Sequence, residues 1–345
     1  MTRAYLAAVS VGVWLSQACA RPGCDAGMTP GTQRRPAPAE SKLAPPRPSA
    51  AGALARKLDS QEVNVLEKIK ARRSASGVRY VAPNSSELEA FAGWFRALVA
   101  GAEANLAPAP AAPAGFELDA ADGELWVAGE RAAERRGAGA YVLRAGVASR
   151  WVVQAPHTFF DVGTLEIALG CFQALNARAL YVNTVRRSNT GGEALEHEER
   201  AELARSGEGD SDLAHAPLSF FATAHAALAR GTPAYAVLQI HGFRDELLPG
   251  VSVVVSAAGT NADAPALSRE LQAVLGRDAV RLYPTEVRKL GGTRNVQAQL
   301  SKAEGAPFIH LELSRTLRQR LRAEPELART FDAAVRAGTL AAAER

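Results

Sequence analysis

The chain has 345 residues, 47% hydrophobic and 22% charged, and at that length it can bury a sizeable core without disulfide or metal staples. Lys plus Arg is 40 and Asp plus Glu is 36, so the formal charge is only +4. With no basic block, nucleic acid is not an expected partner. This composition excludes a collagen, a coiled coil, a polytopic membrane protein and a wholly disordered chain.

At the N-terminus, Arg3 precedes an apolar run from Ala4 to Leu15 and then the small residues Ala18-Cys19-Ala20. That is the layout of a secretory signal, and the run is shorter than the ~20 residues that span a bilayer. Residues 1–20 therefore read as a signal peptide, and the chain as exported to the periplasm or cell envelope. Two processing routes stay open. Cleavage after Ala20 leaves a free protein. Alternatively, Ser16-Gln17-Ala18-Cys19 resembles a degenerate lipobox, and a lipid on Cys19 would tether the chain to a membrane. Cys19, Cys24 and Cys171 have no zinc-finger or thioredoxin spacing. An oxidising compartment permits a Cys24–Cys171 bridge, but Cys171 sits in an apolar helical window, and a buried, inert thiol is expected there.

Residues 21–58 are rich in Pro and Ala and read as an extended linker. Residues 59–148 read as an accessory N-terminal region. A helix is expected from Ser60 to about Arg73, with Val63, Leu66 and Ile69 at helical spacing. A second helix, with Ser85 as its cap, carries the apolar stripe Leu88, Phe91, Phe95 and Leu98. Short extended runs at FELDA, GELWVAGE and AYVLRAG suggest an antiparallel edge leading into the main sheet.

From residue 149 to 345 the texture changes to α/β. Strands are expected at WVVQAPH, ALYVNT, AYAVLQIHGF, SVVVSA, VRLYPT and FIHLELS. Helices are expected at LEIALGCFQALN, PLSFFATAHAALARG (opening near Pro217), APALSRELQAVLG, NVQAQLSKA and SRTLRQRLRAEPELARTFDAAVRAG, the last broken at Pro325. This alternation predicts a mixed, mostly parallel sheet with helices on both faces.

Ligands in such sheets bind beyond the carboxyl ends of the strands. His157 ends one apolar strand, with Asp161 four residues on, and His241 ends another. Two His and one carboxylate can hold a zinc ion and leave a position open for water or a substrate oxygen. Such a site needs a proton shuttle. Glu312 lies in the apolar strand FIHLELS on the same face as His310, where a carboxylate is costly without a partner. The other histidines have plainer readings: His197 is solvated in a charged loop, His215 and His225 pack or cap near a helix, and His310 serves the site or the core. There is no G-x-S-x-G elbow, P-loop, G-x-G-x-x-G after a strand, or H-E-x-x-H helix.

The segments APHTFFDVGTLEIA, AVLQIHGF and FIHLELSRTLR resemble the N-formylglutamate amidohydrolases and phage-type poly-γ-glutamate hydrolases, relatives of the zinc carboxypeptidases. The resemblance covers about residues 150–322. It implies a carboxypeptidase-like fold, His157, Asp161 and His241 as zinc ligands, and Glu312 as general acid/base. The zinc carboxypeptidases space their first pair as H-x-x-E, whereas this chain has H-x-x-x-D. The substrate-binding arginines are not placed by motif. Arg186 and Arg187 follow a strand, and Arg294 with Asn295 lies on a Gly-rich turn entering a helix. Guanidinium groups so placed can grip a substrate carboxylate. The expected substrate is a small acidic amide, peptide or γ-glutamyl compound, cell-wall or polyglutamate derived. The alternative is a non-catalytic envelope protein that binds a ligand or partner with the same fold.

Overall fold

The computed structural model describes residues 60–73, 80–105, 111–121, 124–146, 148–187, 211–231, 235–258 and 263–340. The signal peptide, the 21–58 linker, Cys19, Cys24 and His197 lie outside the described residues. Among the described residues, no helix is long and apolar enough to cross a membrane.

Among the described residues, nine strands build one sheet: β1 (Phe116–Ala121), β2 (Leu125–Glu130), β3 (Ala140–Arg144), β4 (Ser149–Ala155), β5 (Ala177–Val182), β6 (Ala236–Phe243), β7 (Val253–Ala258), β8 (Val280–Leu282) and β9 (Phe308–Ser314). Their order is β1-β2-β3-β5-β4-β6-β9-β7-β8. The central strands β5, β4, β6 and β9 run parallel, as does β8 beside β7. The hairpin strands β1 to β3 join β5 antiparallel, and β7 is antiparallel to β9. The edge expected from residues 116–144 is therefore continuous with the main sheet, and one sheet crosses the boundary placed at residue 148.

Among the described residues, eight α-helices cover the two faces: α1 (Ser60–Ala71), α2 (Ser85–Glu103), α3 (Thr164–Ala174), α4 (Phe220–Gly231), α5 (Asp263–Leu275), α6 (Val296–Ala303), α7 (Arg315–Ala323) and α8 (Pro325–Leu340). One core lies under α1, α3, α5, α7 and α8, built on residues such as Ile69, Phe172, Leu267, Leu317 and Phe331. The other lies under α2, α4 and α6, with Phe91, Phe95, Phe221 and Ala298. Cys171 is a buried thiol in the first, directed at Asp332 Oδ1 at 3.9 Å.

Local chemistry sets the helix ends. The cap of α2 is Asn84 rather than Ser85: its side chain accepts from Glu87 N at 3.0 Å, and Glu87 reaches back to Asn84 N at 2.8 Å. Helix α4 starts at Phe220, not near Pro217, because the Ser219 hydroxyl takes the capping role on Ala222 N at 3.1 Å. The last helical stretch breaks at Glu324, which precedes Pro325 and adopts an extended conformation (φ −114°, ψ 93°).

Candidate metal centre

Alternation along three neighbouring strands decides which side chains meet. Val153 and Ala155 in β4, Leu238 and Ile240 in β6, and Ile309, Leu311 and Leu313 in β9 all enter the first core. Their neighbours Gln154, Gln239, His241, His310 and Glu312 therefore face the α4/α6 side. Strand register sorts these into two rows. Gln154, Gln239, His310 and Ser256 stand side by side, and one level nearer the strand ends His241 stands beside Glu312.

His157 lies just past the end of β4, and a tight turn brings Asp161 back toward it. Asp161 N donates to His157 O at 2.8 Å, and Gly163, at φ 97°, leads into α3. The longer H-x-x-x-D spacing is absorbed by this turn. His157 Nδ1 and His241 Nδ1 are 3.0 Å apart, and Asp161 Oδ2 is 3.5 Å from His157 Nδ1. Asp161 Oδ2 also accepts from Gly242 N at 3.0 Å. All three side chains are buried.

The far side of each ring fixes its tautomer. His157 Nε2 is 2.8 Å from Asp212 Oδ1, and a carboxylate only accepts, so Nε2 carries the hydrogen. His241 Nε2 is 2.7 Å from Gln239 Oε1. The Gln239 amide is oriented by its Nε2, which donates to Gln154 Oε1 at 2.9 Å, and by the Asn295 amide, which donates to its oxygen. His241 Nε2 is thus a donor as well. Two bare Nδ1 atoms face each other beside a carboxylate oxygen, and their lone pairs repel unless a positive charge sits among them.

That donor set fits zinc. A tetrahedral ion with bonds of about 2.0–2.1 Å spaces its ligand atoms by about 3.3 Å, and the observed 3.0 and 3.5 Å separations straddle that value. In the absence of a cation the charge is a proton. Burial disfavours it, but the hydrogen bonds of His157 to Asp161 and Asp212 outweigh burial and hold its pKa at about 9. His241 is driven well below the ordinary histidine value by burial and then by its His310 and His157 neighbours. Asp212 also takes Arg187 Nη2 at 2.8 Å and lies 3.2 Å from His215 Nδ1. Burial pushes its carboxyl up, but His157 and Arg187 keep it ionised. Carboxylate partners of this kind orient a ligating imidazole and raise its basicity.

Glu312 stands beside this trio. One of its carboxylate oxygens and the ring nitrogens of His241 and His310 lie within 4.8 Å of one another. Its Oε2 is buried with no hydrogen-bond partner, a costly arrangement for a carboxyl group that serves no function. Burial, reinforced by the charge of Asp161, raises its pKa to about 8. His310 Nδ1 contacts Ser256 Oγ at 3.2 Å, and its Nε2 faces Glu312 Oε1 at 3.7 Å. Burial takes His310 down to about 3, so it is neutral.

The other sequence candidates are dispersed. Arg187 reaches the centre only through Asp212, and it also stacks over the Phe160 ring at 5.2 Å. Arg186 and Arg294 are exposed. Asn295, expected to grip substrate, is buried with both ends of its amide engaged: it caps α6 through Ala298 N at 3.0 Å and donates to Gln239. It therefore supports His241 from behind. His225 also lies inside, bridging Gln154 and Ser301 at 3.0 and 3.2 Å.

Sequence reasoning missed Asp212, Gln239 and Gln154. For Asp212 the available signal was its position where the charged stretch gives way to apolar Leu213-Ala214. For the glutamines it was two amides at matching places in two otherwise apolar strands.

No family model and no curated protein matches this chain. Among solved structures, a bacteriophage poly-γ-glutamate hydrolase aligns at 14% identity and a TM-score of 0.35, over 56% of this chain and 83% of that one. A metallo-carboxypeptidase from Pseudomonas aeruginosa, in complex with (2-guanidinoethylmercapto)succinic acid, aligns at 16% identity and a TM-score of 0.37, over 67% of this chain and 66% of that one. The CwlD amidase from Clostridioides difficile, in complex with the GerS lipoprotein, aligns at 9% identity and a TM-score of 0.32, over 57% of this chain and 99% of that one. Similarity of this degree assigns the chain no activity.

Proposed function

We propose that the protein is an exported zinc-dependent hydrolase of an amide bond in an acidic N-acyl-amino acid, peptide or γ-glutamyl substrate. The observation that carries this reading is the pair of Nδ1 atoms 3.0 Å apart, with Asp161 beside them and Asp212 and Gln239 fixing the far sides of the rings. His157, Asp161 and His241 would hold zinc, which would supply a Lewis acid for a carbonyl and lower the pKa of water. Glu312, beside the trio with its Oε2 unpaired, would in its ionised form take the proton from the attacking water and return it to the leaving amine nitrogen. Asp212 and Gln239 hold the two imidazoles in the ligating tautomer. Arg187 beside Asp212, with Arg186 next to it in the chain, supplies positive charge suited to an acidic substrate. The likeness of residues 150–322 to the amidohydrolase and polyglutamate hydrolase sequences supports the same reading, and the signal-like N-terminus supports a cell-envelope location, with a lipid on Cys19 as the alternative to free release.

The experiment is zinc analysis of the purified protein combined with hydrolysis of N-acyl-amino-acid and γ-glutamyl libraries. Near-stoichiometric zinc is expected, with turnover lost on chelation and restored by zinc. Full zinc loading with no hydrolysis of any library member would turn the reading into that of a binding protein, and a protein that takes up no zinc would end it.

A further inference from the structure

One arginine touches the chain beside each of the three elements that build the centre. Arg318, on α7, is buried. Its Nε donates to Leu313 O at 3.2 Å, its Nη2 to Phe243 O at 3.3 Å, and its Nη1 to Val162 O. Leu313 follows Glu312, Val162 follows Asp161, and Phe243 lies two residues past His241. The rigid guanidinium fork thus bridges the ends of β6 and β9 and the turn after β4. A lysine ammonium cannot present the same planar set of donors.

The neighbouring glycine is shaped to this contact. A Cβ on Gly242 would lie 2.5 Å from Arg318 Nε and 2.6 Å from its Cζ. Gly242 also gives its N–H to Asp161 Oδ2. The residue that holds the carboxylate ligand is therefore the one against which the guanidinium packs. Asp161 and Glu312 act on Arg318 only through space, whereas its hydrogen bonds go to main-chain carbonyls. Arg315, Arg320 and Arg322, on the same helix, are exposed.

We propose that Arg318 is the positioning residue of this centre, pinning together the three chain segments that carry Asp161, His241 and Glu312 and so setting the spacing of the ligand atoms. The inference rests on the metal reading above for its consequence, but its structural half is testable without metal. In Arg318→Met, which keeps the apolar stem, amide hydrogen exchange of the zinc-free protein should accelerate together in residues 157–163, 241–244 and 312–314 and stay unchanged elsewhere. Zinc affinity, read by chelator competition, should fall about 10- to 100-fold, the range for groups that orient metal ligands. Guanidinium ion added below denaturing concentration should recover part of that loss.

Gly242→Ala, which pushes the guanidinium off its carbonyls without removing the charge, should reproduce both effects and serves if Arg318→Met fails to fold. Exchange that rises uniformly across the protein, or a variant that binds zinc as the wild type does, would overturn the proposal. If the wild type binds no zinc, the metal reading fails alone. The exchange pattern then still decides whether Arg318 couples the three segments.

Discussion

In His241→Ala, zinc affinity is expected to fall by about 10²–10³-fold while the fold persists. Structural zinc sites contribute roughly 10–16 kcal/mol of binding free energy, so one ligand among four is worth roughly 2.5–4 kcal/mol. The metal-free variant should lose about 2 kcal/mol, at the low end for a truncated core side chain. The imidazole makes two hydrogen bonds, to the oriented Gln239 amide at 2.7 Å and through the His157 proton to His157 Nδ1 at 3.0 Å, each worth about 1 kcal/mol. Chelator competition together with urea unfolding of the metal-free protein separates the two quantities. A variant that binds zinc normally but unfolds far more easily would make His241 a structural residue and dissolve the centre.

Glu312→Gln is expected to keep zinc and fold and to lose about 10²–10⁴-fold in turnover, the usual worth of a positioned proton shuttle. The amide preserves the shape and removes only the titrating proton. The same variant carries a pH signature in the metal-free state. The Glu312 carboxyl titrates at about 8 in the folded protein against an ordinary value of 4.5, so between those values the native state holds a proton that the unfolded chain has released. Wild-type stability therefore declines from this source as pH rises through that window. Glutamine removes the decline, so the unfolding midpoint of the variant should gain on the wild type from about pH 4.5 to about pH 8 and level off above it. Full turnover in Glu312→Gln would remove this residue from the mechanism. A pH-independent difference in midpoint would contradict its burial as a neutral acid.

The parts of the centre that were legible in the sequence are those governed by period two. In VVQAPH, VLQIHGF and FIHLELS, apolar residues alternate with polar ones, so a strand reading already placed His310 and Glu312 on one face and His157 and His241 at strand ends. The turn that returns Asp161 to His157 was readable as a short connection but not as a distance, because i to i+4 proximity depends on the local backbone path. Asp212 was legible only as a carboxylate at the edge of the apolar Leu213-Ala214, because the histidine it clamps is distant in the chain and no local signal names that partner. Asn295 was misread for the opposite reason. A polar residue on a glycine-rich turn suits ligand binding, but here helix capping and the Gln239 hydrogen bond use both ends of its amide. Arg318 was hidden among four arginines in nine residues of α7. Leu317 and Leu321 mark the inward stripe, but which neighbouring arginine folds in with them is decided by the carbonyls waiting at the strand ends.

The most direct measurement is a zinc-edge anomalous difference map from a crystal grown with zinc. The expected result is one strong peak within bonding distance of His157 Nδ1, His241 Nδ1 and Asp161 Oδ2, with the Glu312 carboxyl beside it. A principal peak bound by other residues, with the two imidazoles still facing each other and no ion between them, would contradict the convergence of these three side chains on a single cation.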